Sequence, residues 1–209
     1  MTGRIIECDA DVSEGVSYLG SICPRMAYAF EATGALPLRR RPDGFEQLLS
    51  AIVSQQLSVA SAAAIWNKLK SARLTGPRNI NAATDQELRA AGLSRQKIRY
   101  ARALAEARIN YRALRDAPNE EIIAELTKVP GIGIWTAEIY AMFSLGRADV
   151  FAPGDLALQE AARVLYELPE RPTEKTLRQM AEAWSPWRSV AARQLWAYYR
   201  VAKQREGIR

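Results

Sequence analysis

Residues Leu126 to Leu158 read LTKVPGIGIWTAEIYAMFSLGRADVFAPGDLAL. Two helical patterns meet there at Val129-Pro130-Gly131-Ile132-Gly133, and a loop carrying Asp149 and Asp155 leads into a third. Pro130 cannot continue a helix, and Gly131 and Gly133 permit backbone angles that a Cβ disfavours, so the corner is tight. The first helix is expected over Glu120 to about Leu126, with Ile122, Ile123 and Leu126 packing. The second is expected from Ile134 to about Leu145, stopped by Gly146. Ile134, Ala137, Ala141 and Leu145 on one side and Trp135, Ile139 and Met142 on another make it apolar all round, the pattern of a central helix. Its first N–H groups lack partners inside the helix and sit at the positive end of the helix dipole, an arrangement that attracts phosphate. Glycine spacing by itself fits an ordinary helix-turn-helix corner equally well.

Downstream, Asp155 follows Gly154 and precedes Leu158, Ala161, Ala162 and Leu165 at helical spacing, which reads locally as an N-cap. Pro169 and Pro172 mark a loop, Thr173 caps Lys175 to Trp184, and Ser185-Pro186 is expected to cap a last helix. That helix has a core stripe of Trp187, Val190, Ala191, Gln194, Leu195 and Tyr198, with Trp196 off the stripe beside Arg193 and Arg200. Upstream, Ser94 starts a helix with Ile98, Ala101, Ala105 and Ile109 inward, and most of Arg95, Lys97, Arg99 and Arg102 read as plain solvated charge. Thr84 with Glu87 forms one capping box, and Asp43 with Glu46 forms another before Phe45, Leu48, Leu49, Ile52 and Val53. The latter helix runs into Ser54-Gln55-Gln56-Leu57, and Ser58 caps the next, with Val59, Ala62, Trp66 and Leu69 on one stripe. The break displays Gln55 and Gln56, which spacing alone allows to face solvent or a partner. Nearer the start, Pro24 opens a helix ended by Gly34, an earlier helix is expected near Ser13, and Arg4 to Glu7 fits a short strand or extended arm. Capping signals recur while alternating apolar stretches are nearly absent, so the expected class is all-α.

Composition narrows the chemistry. The 209 residues are 48% hydrophobic and 25% charged, enough for one compact unit in two lobes. Lys and Arg number 29 against 23 Asp and Glu, a net charge of +6, so an anionic partner, nucleic acid first, is expected. The chain has no histidine, which removes Ser-His-Asp triads, His-based zinc sites and any imidazole base. Cys8 and Cys23 are the only cysteines, too few for an iron–sulfur or Cys₄ zinc site and expected to be reduced thiols in a cytoplasmic protein. No secretory signal or membrane-spanning run is expected from the sequence.

The string Leu126, Val129, Pro130, Gly131, Ile132, Gly133 and Thr136-Ala137, followed by Phe151-Ala152-Pro153-Gly154-Asp155, resembles the signature of the helix-hairpin-helix/Gly-Pro-Asp DNA glycosylase superfamily. Gly44 to Trp66, GFEQLLSAIVSQQLSVASAAAIW, and Ser185 to Trp196, SPWRSVAARQLW, are similar to its 3-methyladenine DNA glycosylase II branch. Three separated stretches agree in order, and the resemblance runs from about Pro42 to the C-terminus. It implies a two-lobed helical helix-hairpin-helix DNA glycosylase fold within residues 1–209, one lobe over approximately 44–150 and the other from 1–43 plus 151–209. Longer members carry an N-terminal β-rich domain. With about forty residues before the Gly44 helix, that domain is expected to be missing or vestigial here.

The resemblance also implies the site. Asp155 takes the catalytic role, whereas Asp149, Glu138 and Glu160 read as surface or structural carboxylates. An ionised carboxylate beside the deoxyribose stabilises the positive charge that develops as an N-glycosidic bond breaks. Trp135 and Trp196 stack the base, and an electron-rich indole face favours an alkylated, cationic purine by about 1–2 kcal/mol. Trp135 also stands where bifunctional relatives place a Schiff-base lysine, so no lyase activity is expected. The hairpin at Val129, Gly131, Gly133 and Ile134 grips phosphate, and Gln55 and Gln56 probe the minor groove. At the wedge position, Gln56 replaces the apolar residue often found in the family. The carbonyls of Thr127, Val129 and Ile132 could hold Na⁺ or K⁺; no cofactor is required and no iron–sulfur cluster is expected. The implied protein is a monomer, away from membranes, that flips alkylated bases such as 3-methyladenine and 7-methylguanine from double-stranded DNA and excises them in base excision repair. Two other readings stand at this level: a glycosylase for deaminated or oxidised bases, and a non-catalytic binder of distorted DNA.

Overall fold

Helix signals dominate the sequence, and the structure, a computed structural model that describes residues 3–205, follows them. Its α-helices are α1 Asp9–Ile22, α2 Pro24–Thr33, α3 Phe45–Ser54, α4 Val59–Ser71, α5 Pro77–Ala82, α6 Asp85–Ala90 and α7 Arg95–Glu106. There follow α8 Tyr111–Asp116, α9 Asn119–Thr127, α10 Ile134–Phe143, α11 Leu156–Tyr166, α12 Glu174–Met180 and α13 Arg188–Arg205, with a 3₁₀ turn at Ala181–Trp184. No strand occurs among the described residues; the extended pairing is one antiparallel bridge, Ile5 to Arg147. Among the described residues, no helix is long and apolar enough to cross a membrane. The chain forms two compact units, Arg41–Tyr140 and residues 3–40 with 141–205.

In the first unit α7 is the hub, packing against α3, α5 and α6 through buried Ile98, Ala101, Leu104 and Ala105. Arg102, expected in solvent, instead donates to the carbonyls of Ile80 and Ala83 and pairs with Asp85, tying α7 to the α5–α6 corner. The Thr84–Glu87 capping box forms as expected. The expected Asp43–Glu46 box does not: the N-cap of α3 is Gly44. Asp43 is engaged by Arg115, whose guanidinium donates to both carboxylate oxygens, and the Gly44 N–H donates to the Tyr140 hydroxyl at 2.7 Å. The α4 stripe also needs correction. Ala62 and Leu69 are buried and Trp66 is half-buried, but Val59 is 88% exposed. Helices α5 and α8 go beyond the sequence expectation; for α5 the available signal is Pro77 at its start.

In the second unit α13 is the hub, packing against α1, α2 and α11. Val190, Ala191, Leu195 and Tyr198 are buried on it as expected. Gln194 is fully buried too, its amide donating to the Met26 carbonyl. Gly15 lets α1 approach closely, since a Cβ there would lie 2.7 Å from Val190 Cγ2 and 2.8 Å from the Trp187 ring. Helix α1 begins at Asp9 rather than near Ser13 because Asp11 folds back onto the chain, accepting from the N–H groups of Glu7 and Cys8 at 2.9 and 3.0 Å. Those bonds hold its carboxyl down to about 2. Ser185 does not cap α13, which starts at Arg188; its hydroxyl donates to Asp149.

Candidate active site and DNA-binding hairpin

The hairpin closes through short-range bonds. Lys128 and Val129 N–H donate to Glu125 and Leu126 carbonyls, and Ile132 N–H donates to the Val129 carbonyl at 3.0 Å. Val129 and Ile132 are 4% and 3% exposed, so their side chains anchor the hairpin and leave only backbone for a ligand. Gly131 has φ +93°, and a Cβ on it would lie 2.4 Å from the Tyr100 ring. Glycine is required there on both counts, backbone angle and close approach. Gly133 is exposed, and α10 follows. Helix α10 is buried from Thr136 to its end apart from half-buried Ile139, but it is not apolar-and-buried all round as expected: Ile134 is 52% and Trp135 45% exposed. The first turn of α10 thus leaves Ile134 and Trp135 partly in solvent, and the first N–H groups of a helix have no partner within it.

The break between α3 and α4 belongs to the same surface of this unit. Gln55, Gln56, Gln96, Lys97, Tyr100, Thr127 and the hairpin residues Val129 to Gly133 line one groove of about 380 Å³. Gln56 is exposed and adopts φ +56°, a left-handed conformation that costs a side-chain-bearing residue about 1 kcal/mol or more. Gln55 is not displayed beside it as expected. It is half-buried, and its amide donates to the Gly131 carbonyl at 2.8 Å. Leu57 is 38% exposed, so Leu57, Val59, Ile134 and Trp135, the exposed large hydrophobic residues of this unit, flank the turn or open α10.

The second unit contains the carboxylate. Asp155 is the N-cap of α11, and its Oδ1 accepts from Ala157 N–H at 2.9 Å and Leu158 N–H at 3.2 Å. The same oxygen accepts from the Trp196 indole N–H at 3.2 Å. Asp155 and Trp196 are both half-buried. The loop before the acid is fixed by buried Gln159, whose amide donates to the Pro153 carbonyl at 2.8 Å. The Trp196 ring leans on Phe143, centroids 5.7 Å apart and planes tilted by 33°. The Arg193 guanidinium lies 4.7 Å from the Phe143 centroid and donates to the Ser189 hydroxyl and the Leu38 carbonyl. Burial, with Arg39 and Arg40 nearby, lowers Arg193 to about 10.

The competing carboxylates have other engagements. Asp149 takes two bonds from Arg188, at 2.6 and 2.9 Å, and one from Ser185 at 2.9 Å. Burial would raise its carboxyl, but those bonds and the guanidinium charge outweigh burial and hold it below the ordinary range. Glu160 pairs with Arg163, and Glu138 is only 4% exposed within α10. Among the described residues, no group of three or more Cys, Asp or Glu side chains is placed to hold a metal ion.

The sequence singles out Asp155, Trp196 and the hairpin, but not the residues packed against them, Gln159, Phe143 and Tyr100, nor the bonds of Lys97 to the end of α3. Gln159 carried a signal, a polar residue beside the apolar Leu158 and Ala162 face of α11. For the others the partner lies far along the chain and no local pattern points to it.

The chain is similar to known proteins in sequence and in fold. The profile of the HhH-GPD superfamily base excision DNA repair proteins matches residues 49–186. DNA-3-methyladenine glycosylase 1 of Schizosaccharomyces pombe is 34% identical over 178 residues, covering 81% of this chain and 78% of the relative. The solved structure of a 3-methyladenine DNA glycosylase from the same yeast in complex with abasic DNA superimposes with a TM-score of 0.77 at 32% identity, covering 88% of this chain and 95% of that one. A DNA-3-methyladenine glycosidase from Bacillus halodurans gives a TM-score of 0.80 at 35% identity, covering 94% and 92%.

Proposed function

This chain belongs to the HhH-GPD superfamily of base excision DNA repair proteins, and on that premise we propose that it flips an alkylated base out of double-stranded DNA and hydrolyses its N-glycosidic bond. The observation that carries the reading is the shared oxygen of Asp155. One carboxylate is fixed by a helix N-terminus and by the indole of Trp196, so the acid and an aromatic face are held as one assembly. A protein that only recognised distorted DNA would need neither.

The reaction follows from the groups present. Alkylation at a ring nitrogen makes a purine cationic, so breaking its bond to the sugar C1′ returns the electron pair to the ring and releases a neutral base. Positive charge passes to the deoxyribose, where the Asp155 carboxylate opposes it. Water then adds at C1′ and gives up a proton, for which Asp155 is the proposed acceptor. Trp135 and Trp196 supply the faces on which the base stacks, with a cation–π contribution for charged purines. The hairpin backbone from Gly131 to Ile134 grips phosphate without reading sequence, and Gln56 enters the minor groove. The Thr127, Val129 and Ile132 carbonyls are the proposed holders of a Na⁺ or K⁺ ion, since carbonyl oxygens are hard donors that suit these cations. The Val129 oxygen already accepts from Ile132 and would offer its second lone pair. Such an ion would add positive charge beside the phosphate.

Trp135, in the first turn of α10, carries no amine, so the products are a free base and an uncut abasic strand. Borohydride added during turnover is expected to trap no enzyme–DNA adduct, and strands are expected to break only after alkali or an endonuclease. A robust trapped adduct would overturn the monofunctional assignment.

A further inference from the structure

The groove beside the hairpin contains two contacts that phosphate binding does not require. The Lys97 ammonium donates to the carbonyls of Val53 and Gln55 at 2.6 and 2.8 Å, capping the C-terminal end of α3 from the first turn of α7. Two residues along, the Gln55 amide donates to the Gly131 carbonyl at 2.8 Å, and Gly131 rests on the Tyr100 ring of the same α7. Gln56 follows directly after Gln55, exposed and in the left-handed region. A residue in that region persists only where its surroundings hold it.

We propose that Lys97 and Gln55 are positioning residues that lock the Gln56 turn to the hairpin, so that phosphate grip and minor-groove probing act as one rigid unit. The inference rests on the glycosylase reading and deepens it. Gln55 is thereby a strut rather than a contact to DNA. Lys97 acts through the backbone of the turn and not on phosphate. Desolvation lowers its pKa, as expected for an ammonium drawn against the protein rather than left in water.

The test uses a duplex with 2-aminopurine opposite a tetrahydrofuran abasic analogue, whose fluorescence reports disturbance of the stack when the turn enters. The full-length wild type should change the fluorescence. Lys97→Met should bind the same duplex and undamaged DNA within about twofold of wild type, with an unchanged salt slope, yet lose most of the fluorescence change. Its single-turnover excision of 7-methylguanine should fall roughly 10- to 100-fold, as expected when reacting groups are slightly misplaced. Lys97→Arg, which keeps donors for both carbonyls, should restore most of both signals. Gln55→Met, which removes only the amide bond to Gly131, should behave like Lys97→Met and decides the matter if that variant does not fold. A wild-type fluorescence change in Lys97→Met and Gln55→Met would overturn the inference. Weaker binding to undamaged DNA with a shallower salt slope would also overturn it, by making Lys97 a phosphate contact. A wild type that excises no alkylated base refutes the substrate assignment, while the fluorescence still decides the role of Lys97.

Discussion

Asp155→Asn is expected to fold, to bind lesion DNA as wild type does, and to lose base excision by about 100- to 1,000-fold or more, the scale on which removal of a transition-state electrostatic group is felt. The amide keeps an oxygen for the Ala157 and Leu158 N–H groups and for the Trp196 indole, so the start of α11 and the ring are still supported. Stability should therefore fall by about 1 kcal/mol or less. What the amide lacks is the negative charge that opposes the sugar cation. Single-turnover excision and thermal melting together check this. If excision survives while stability drops modestly, Asp155 is only a helix cap.

The second large effect is expected at Trp196. Its ring leans on Phe143, and its N–H holds the carboxylate that is proposed to act. Trp196→Ala removes both, and loss of one base-stacking partner alone costs about 1–3 kcal/mol, roughly 5- to 150-fold in rate. Trp196→Phe keeps an aromatic face but no donor for Asp155 Oδ1, so it should fall between wild type and alanine. Trp135→Ala removes the other face proposed to stack on the base. For each alanine variant, release of cationic 7-methylguanine should suffer more than release of a neutral base such as hypoxanthine, measured on matched duplexes. Equal losses would remove the cation–π part of the account.

The features legible in the sequence were those written locally. Proline and two glycines marked the hairpin, and Asp155 after Gly154 marked the start of α11. Thr84 with Glu87 marked α6, and the stripe from Val190 to Tyr198 marked the buried face of α13. The failures share one physical cause, which is competition from partners distant in sequence. Asp43 had the spacing of a capping residue, but Arg115 offers it two charge-assisted bonds, and glycine caps α3 instead. Lys97 and Arg102 looked like solvated charge on the outer faces of α7, yet each reaches backbone carbonyls of another element. Gln55 looked displayed because α3 ends beside it, but the Gly131 carbonyl, 76 residues away, takes its amide. Val59 fitted an apolar stripe by spacing alone. At the first position of α4, beside the turn, it lies almost wholly in solvent, and Leu57, Ile134 and Trp135 are partly exposed in the same unit. Apolar side chains left exposed around a hairpin that is proposed to grip phosphate suit a surface that meets bases and sugars as well as phosphates.

The central claim is that this chain removes alkylated bases by hydrolysis. The most direct measurement is chromatographic analysis of the bases released by the wild-type protein from duplexes carrying 3-methyladenine, 7-methylguanine, hypoxanthine or 8-oxoguanine, with Asp155→Asn as the control. The account predicts free 3-methyladenine and 7-methylguanine, little 8-oxoguanine, uncut abasic strands, and almost no base from the control. Absence of both methylated bases, or their release at the wild-type rate by Asp155→Asn, would contradict it.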